Sequence, residues 1–218
     1  MLKYFKKFID RFKEKSNFNK ALKYLNTGEY GQAENILVAL VDSNNLDLKM
    51  VYFNLAAVLI GNEKFEEAEF YLKKAIKVKN NIDFFWGTLG EVYILQEKWL
   101  MAEDSLQEAI KLNKSKKLYR DKLSIVKGNQ KIKDNYLKYY YLVKKALKLQ
   151  KEEKWEKSID MFKKALEYNN IMGYAYNQIG AIYNNKLDNA KEAIKYFKLA
   201  LEKEPGNTMF KMNYNRVK

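Results

Sequence analysis

The chain has 218 residues, of which 47% are hydrophobic and 15% aromatic, so it can bury a sizeable core and is not a disordered tail. It contains no Cys and no His, which excludes a disulfide framework and removes the commonest general base and the commonest metal ligand. The formal net charge of +14 is carried almost wholly by Lys. One Pro and nine Gly are too few breakers for an all-β fold with many turns.

Residues 1–15 are the first predicted element, a basic amphipathic helix with a net charge of +4. Its apolar side chains recur at helical spacing: Leu2, Phe5, Phe8, Ile9 and Phe12. Interspersed charges argue against a signal peptide, and no window approaches the roughly 18 apolar residues of a membrane span. We expect this helix to bury its apolar side on the repeats that follow it. In its own chain it would be a cap or plug, and in a neighbouring chain it would make a dimer. The alternative is a helix that stays free for a membrane surface or a partner.

Residues 16–116 repeat one pattern three times, namely two amphipathic helices joined by a short polar link, with Ser16 or Asn17 beginning the first helix. The clearest copy, residues 83–116, carries Trp86, Leu89, Gly90 and Tyr93 before the link and Trp99, Ala102, Leu106 and Ala109 after it. A small residue marks the second helix of each copy, at Ala33, Ala68 and Ala102. The intervals of 35 and 34 residues indicate a true repeat.

The period breaks after residue 116, because the next equivalent marker, Ser158, comes 56 residues after Ala102. We interpret residues 117–138 as a non-repeat helix and a connection. Two further repeats then occupy residues 139–207, with Ala193 as the last marker, and residues 208–218 form a capping helix. This interruption predicts two blocks, near residues 14–128 and 131–218.

The spacing in residues 83–116 resembles the tetratricopeptide repeat, whose 34-residue unit carries a Trp, Leu-Gly, Tyr, Ala, Phe, Ala pattern. The resemblance implies an all-α solenoid of about five helix-turn-helix repeats in a right-handed superhelix. It also implies a non-enzymatic scaffold for protein–protein interaction. In this family the first helix of each repeat lines a concave groove that binds the partner.

Carried onto this sequence, the family's groove positions predict a mostly apolar partner-binding wall. Its principal residues are Phe18, Leu22, Met50, Phe53, Asn54, Ala57, Phe84, Thr88, Glu91, Tyr140, Lys144, Tyr174 and Gln178. Further lining positions are Asn19, Leu25, Ile60, Gly87, Ile94, Val143, Leu147, Asn177 and Ala181. Such a wall suits a peptide or an amphipathic helix with apolar anchors. A clamp for a terminal carboxylate is not expected, because Phe18, Leu22, Phe84 and Thr88 carry no positive charge.

We expect no catalytic residues, no metal site and no cofactor, since no nucleophile, base and orienting group converge in a recognisable motif. Trp86, Trp99 and Trp155 are interpreted as core residues. The leading function is a protein-binding scaffold in a bacterial cytoplasm, with a peripheral membrane adaptor anchored by residues 1–15 as the alternative. Nucleic-acid binding is disfavoured, because the basic residues occur along all the repeats. The identity of the partner does not follow from the sequence.

Overall fold

The computed structural model describes residues 2–218, with side chains described from Phe8 onward. Within those residues the chain forms twelve helices and no strands. The helices are α1 Leu2–Thr27, α2 Tyr30–Val38, α3 Leu48–Gly61, α4 Phe65–Val78, α5 Asp83–Leu95, α6 Trp99–Leu112, α7 Lys117–Val126, α8 Gln130–Lys151, α9 Trp155–Tyr168, α10 Gly173–Asn185, α11 Ala190–Lys203 and α12 Thr208–Val217. The predicted all-α fold of helix-turn-helix repeats is confirmed.

The chain divides into two compact units, Met1–Asn113 and Lys114–Lys218. Unit 1 contains the helix pairs α1/α2, α3/α4 and α5/α6, and unit 2 contains the pairs α8/α9 and α10/α11. We expected the division near residues 128–131. It lies earlier, between residues 113 and 114, because α7 packs against α8 and so belongs to unit 2.

The repeat markers lie where the two helices of each pair cross. Ala33, Ala68, Ala102, Ser158 and Ala193 are all completely buried. Ser158 is the one polar marker, and its buried hydroxyl is not left unpaired, because it donates to the backbone oxygen of Ala146 at 2.9 Å. Small side chains at these positions allow the two backbones to approach closely.

Three tight turns within the helix pairs depend on a Glu in the left-handed conformation. Glu63, Glu97 and Glu153 have φ angles of 61°, 57° and 56°, and Gly28 has a φ of 73° in the corresponding turn of the first pair. After Glu97, the backbone N–H of Lys98 returns to the oxygen of Tyr93 at 2.8 Å, which ends α5. The turns are therefore alike in geometry although only one of them uses the residue best suited to it.

The N-terminal segment differs from its prediction in its continuity with the helix that follows it. Helix α1 is continuous from Leu2 to Thr27, so neither Ser16 nor Asn17 begins a new helix. The Glu14 carboxylate accepts hydrogen bonds from Ser43 Oγ at 2.5 Å and Asn45 Nδ2 at 3.0 Å. These bonds fix the middle of α1 to the loop that precedes α3.

Three apolar residues before Glu14, namely Phe8, Ile9 and Phe12, are largely uncovered by their own chain. Phe8, Ile9 and Phe12 are 69%, 47% and 72% exposed, so the expectation of a cap or plug is wrong for these side chains. Leu2 and Phe5, which belong to the same prediction, lie outside the residues whose side chains are described. Docking onto a neighbouring chain stays a prediction.

The three Trp residues are not in the fully buried core, contrary to expectation. Trp86, Trp99 and Trp155 are all only partly buried, and Trp86 Nε1 donates to the backbone oxygen of Asn80 at 2.7 Å. The completely buried aromatic side chain of α5 is its neighbour Phe85. A helical pattern identified the apolar face correctly, but a large ring near the edge of that face reaches the surface.

Candidate functional site

In unit 1, the predicted wall lies along the first helix of each pair. The residues it includes are Phe18 and Leu22 on α1, Met50, Phe53, Asn54 and Ala57 on α3, and Phe84, Thr88 and Glu91 on α5. All of these side chains except Asn54 are partly exposed. We call this set the unit 1 strip.

An aromatic cluster forms the middle of the unit 1 strip. The ring of Phe53 meets the edge of Phe84 with centroids 4.9 Å apart, and Phe85 lies 5.3 Å from Phe53 and 4.8 Å from Phe84. Phe85 is completely buried beneath the two partly exposed rings. This packing holds Phe53 and Phe84 in place, because aromatic rings at such distances and angles attract each other.

Asn54 has little capacity to contact a partner through its amide. It is 9% exposed, and its Nδ2 donates to the backbone oxygen of Met50 at 2.7 Å within α3. Two of the further lining positions in unit 1, Gly87 and Ile94, are also buried. The accessible part of the strip is therefore narrower than the predicted wall.

In unit 2, the predicted residues lie on the first helices of the two pairs. Tyr140 and Lys144 are on α8, and Tyr174 and Gln178 are on α10; all four are partly exposed. Asn177 is only 3% exposed, and its Oδ1 accepts a hydrogen bond from Asn213 Nδ2 of α12 at 2.9 Å. Helix α12 thus covers the lining position Asn177.

Basic residues occur along all the repeats, as expected, but the net charge is unevenly divided between the two units. Residues 1–113 contain 16 basic and 16 acidic residues, whereas residues 114–218 contain 25 basic and 11 acidic residues. The net charge of +14 therefore belongs to unit 2 alone. Between α8 and α9, Lys145, Lys157 and Lys164 line a surface depression together with Asp160 and Glu167.

Within each of the two units, the geometry is that of an α-helical repeat protein in which consecutive helix pairs pack against each other. A family model described as tetratricopeptide repeat matches residues 51–82 and 173–207. The first match covers α3 and α4 of unit 1, and the second covers α10 and α11 of unit 2. The chain therefore contains tetratricopeptide repeats, the repeats of a family of protein-interaction scaffolds.

Solved structures of low sequence identity are similar to this chain. The protein MamA is 19% identical, with a TM-score of 0.47 over 88% of this chain and 96% of that one. YrrB, described as a tetratricopeptide repeat protein with an unusual peptide-binding site, is 18% identical, with a TM-score of 0.49 over 95% and 96%. The repeat domain of P58(IPK) is 19% identical, with a TM-score of 0.48 over 94% and 55%. No curated protein sequence matches the chain.

Sequence reasoning missed two features of the surface. Phe85 was not singled out, although it supports both exposed rings of the strip from below. The charge division could have been found by counting acidic and basic residues on either side of the broken period. No helix within residues 2–218 is long and apolar enough to cross a bilayer.

Proposed function

We propose that the protein is a non-enzymatic scaffold whose unit 1 strip binds a peptide or an amphipathic helix through apolar anchors. The observation that carries the proposal is the pair of partly exposed rings, Phe53 and Phe84, whose centroids lie 4.9 Å apart and which both pack against the buried Phe85. Preorganised aromatic side chains are effective anchors, because little conformational entropy is lost when a partner covers them.

The surroundings of the rings also support an apolar ligand. Phe18, Leu22 and Met50 extend the same surface over α1 and α3, and all three are partly exposed. Glu91 is the only acidic residue of the unit 1 strip, and the strip contains no Lys or Arg. Specificity would then come from the spacing of apolar side chains in the ligand, as expected for helix-in-groove recognition.

A display selection tests this proposal and does not require the natural partner to be identified. Peptides selected against the folded full-length chain should lose affinity by about tenfold or more when Phe84 is changed to Ser or Thr88 to Lys. The matched control is Phe70→Ser, since Phe70 is 53% exposed on α4, a second helix of its pair. Equal affinity of the selected peptides for all of these variants would contradict the proposal.

Nucleic-acid binding by unit 2 is a second candidate, favoured by its 25 basic and 11 acidic residues. Binding of this kind falls steeply with salt, because phosphate contacts release counterions. Lys157→Glu together with Lys164→Glu should reduce the affinity for single-stranded RNA or DNA. The control is the double substitution Lys77→Glu, Lys79→Glu in unit 1, which should leave the affinity for single-stranded RNA or DNA unchanged. Affinity that is absent at low salt, or that responds equally to both pairs, would exclude this candidate.

A further inference from the structure

The first part of α1 extends beyond the body of unit 1. Glu14 is the first residue of the helix with a described hydrogen bond to another element, through Ser43 and Asn45. Residues 8–13 before it are all exposed. We call residues 2–13 the N-terminal extension; at 1.5 Å per residue this helix is about 18 Å long.

The exposed apolar side chains of the extension point away from the repeats. Phe12 and Ala21 are nine residues apart, which is about 2.5 helical turns, so they lie on opposite sides of the continuous helix α1. Ala21 is completely buried, and Phe12 is 72% exposed. The helix therefore cannot bury Ala21 and Phe12 on the same surface. The apolar stripe of Phe8, Ile9 and Phe12 needs a partner outside its own unit.

The charges beside this stripe all have one sign. At about 100° per residue, Arg11 and Lys15 lie about 100° and 60° to one side of Phe12, and Lys13 lies about 100° to the other. The acidic residues Asp10 and Glu14 are about 160° away, on the side that faces the repeats. The outward face of residues 8–15 is thus an apolar stripe between two basic edges.

We propose that the N-terminal extension binds the surface of an anionic lipid bilayer and lies in its plane. The apolar stripe would enter the boundary between headgroups and acyl chains, and the basic side chains would extend outward to the lipid phosphates. Attraction of basic residues to an anionic leaflet adds to the apolar contact. The extension lies on the membrane without spanning it, since no helix in residues 2–218 is long and apolar enough to cross.

A second copy of the chain is a less suitable partner for the apolar stripe and its basic edges than a bilayer is. The exposed parts of Phe8, Ile9 and Phe12 amount to on the order of 400 Å². A stable protein interface needs about 800 Å² on each partner. The unit 1 strip of another copy offers these basic edges a single carboxylate, Glu91, whereas an anionic bilayer offers phosphates along both edges.

Vesicle sedimentation with the full-length chain tests the proposal. The wild type should sediment with vesicles of phosphatidylcholine and phosphatidylglycerol, and far less with phosphatidylcholine alone. Replacing both Phe8 and Phe12 with Ser leaves every charge in place and should weaken the binding by about tenfold or more. Phe70→Ser is the control for loss of an exposed aromatic ring elsewhere, and its binding should match the wild type. Circular dichroism of each variant checks that the helices are retained.

Three outcomes would overturn the proposal. The first is wild-type binding by the Phe8→Ser, Phe12→Ser variant, which would assign the adsorption to the basic surface of unit 2. The second is the absence of sedimentation with the anionic vesicles at low salt. The third is a dimer of the wild type that this variant converts to a monomer without any vesicle binding, which would assign the stripe to a second copy.

Discussion

Gly90 of α5 lies directly against Leu106 of α6, so closely that a Cβ at Gly90 would stand 2.8 Å from Leu106 Cγ. The same built atom would lie 3.4 Å from the backbone oxygen of Ala102, the repeat marker of this pair. Leu106 is completely buried. The crossing of α5 and α6 therefore requires the absence of a side chain at residue 90.

The first prediction is that Gly90→Ala destabilises the protein by about 1–2 kcal/mol. Overpacking a buried site destabilises a protein by about 1–3 kcal/mol, and the higher helix propensity of Ala than of Gly offsets only part of this loss. Denaturant unfolding measures the change. The control is Gly31→Ala in α2, where a Cβ meets nothing within 4 Å, so this variant should gain about 0.5–1 kcal/mol. Equal effects of the two substitutions would mean that the crossing tolerates a methyl group.

A second prediction concerns the buried side of the aromatic cluster. Phe85→Ala should cost about 3–5 kcal/mol, the range for emptying a buried aromatic site. Trp86→Ala should cost less than Phe85→Ala, because Trp86 is partly exposed and loses less buried area on truncation. Denaturant unfolding followed by circular dichroism compares the two without relying on the fluorescence of the replaced Trp. A larger loss of unfolding free energy for Trp86→Ala than for Phe85→Ala would show that Trp86 contributes more to the core than Phe85 does.

The third prediction is an acid-dependent loss of stability that originates at Glu69. Burial alone would raise the pKa of this carboxyl, but hydrogen bonds from Lys73 and Lys98 lower it from 4.5 to about 2. Since the pKa is lower in the folded state, the stabilisation is complete above about pH 5. It is lost as the pH falls towards 2. The bond from Lys98 joins α4 to the turn before α6 at 2.9 Å.

Glu69→Gln should therefore remove about 1–3 kcal/mol at pH 7 and flatten the stability profile between pH 5 and pH 2. Urea unfolding of the wild type and the variant at a series of pH values measures both the loss of stability and the shape of the pH profile. Glu108→Gln is the control, because its pair with Lys111 lies within one helix and is about half exposed. An unchanged profile for Glu69→Gln would show that the acid sensitivity arises at other carboxyl groups.

The helix pairs could be predicted from the sequence, because spacing at i, i+3 and i+4 between short polar links depends on local geometry alone. The continuity of α1 could not, since Ser16 and Asn17 are compatible both with a helix start and with a helix interior. Whether a ring is covered depends on neighbours distant in the chain. This is why Trp86, expected in the core, is only partly buried, whereas its sequence neighbour Phe85, for which no burial was predicted, is completely buried. The residues of the unit 1 strip, with the exception of Asn54, are partly exposed, but their role in binding stays a prediction.

The fourth prediction uses the left-handed turn residues. Glu97→Gly and Glu153→Gly should each stabilise the protein by about 0.5–1 kcal/mol. Glu97 and Glu153 have φ angles of 57° and 56°, and this left-handed conformation is higher in free energy for a residue with a Cβ than for Gly. Thermal unfolding of each single variant measures the gain. Gly28→Ala is the reverse experiment and should lower the stability, since its φ is 73°. A loss on Glu97→Gly would mean that the Glu side chain stabilises the turn more than its backbone strains it.

The unequal division of charge has a consequence for solubility. Unit 1, with 16 basic and 16 acidic residues, is close to its isoelectric point at neutral pH, where proteins associate and precipitate most readily. Unit 2 supplies the electrostatic repulsion that disperses copies of the whole chain. A fragment of residues 1–113 should thus precipitate at a lower concentration than the full-length protein near pH 7. Neutralising the lysines of unit 2 should lower the concentration at which the intact chain precipitates to that of the fragment.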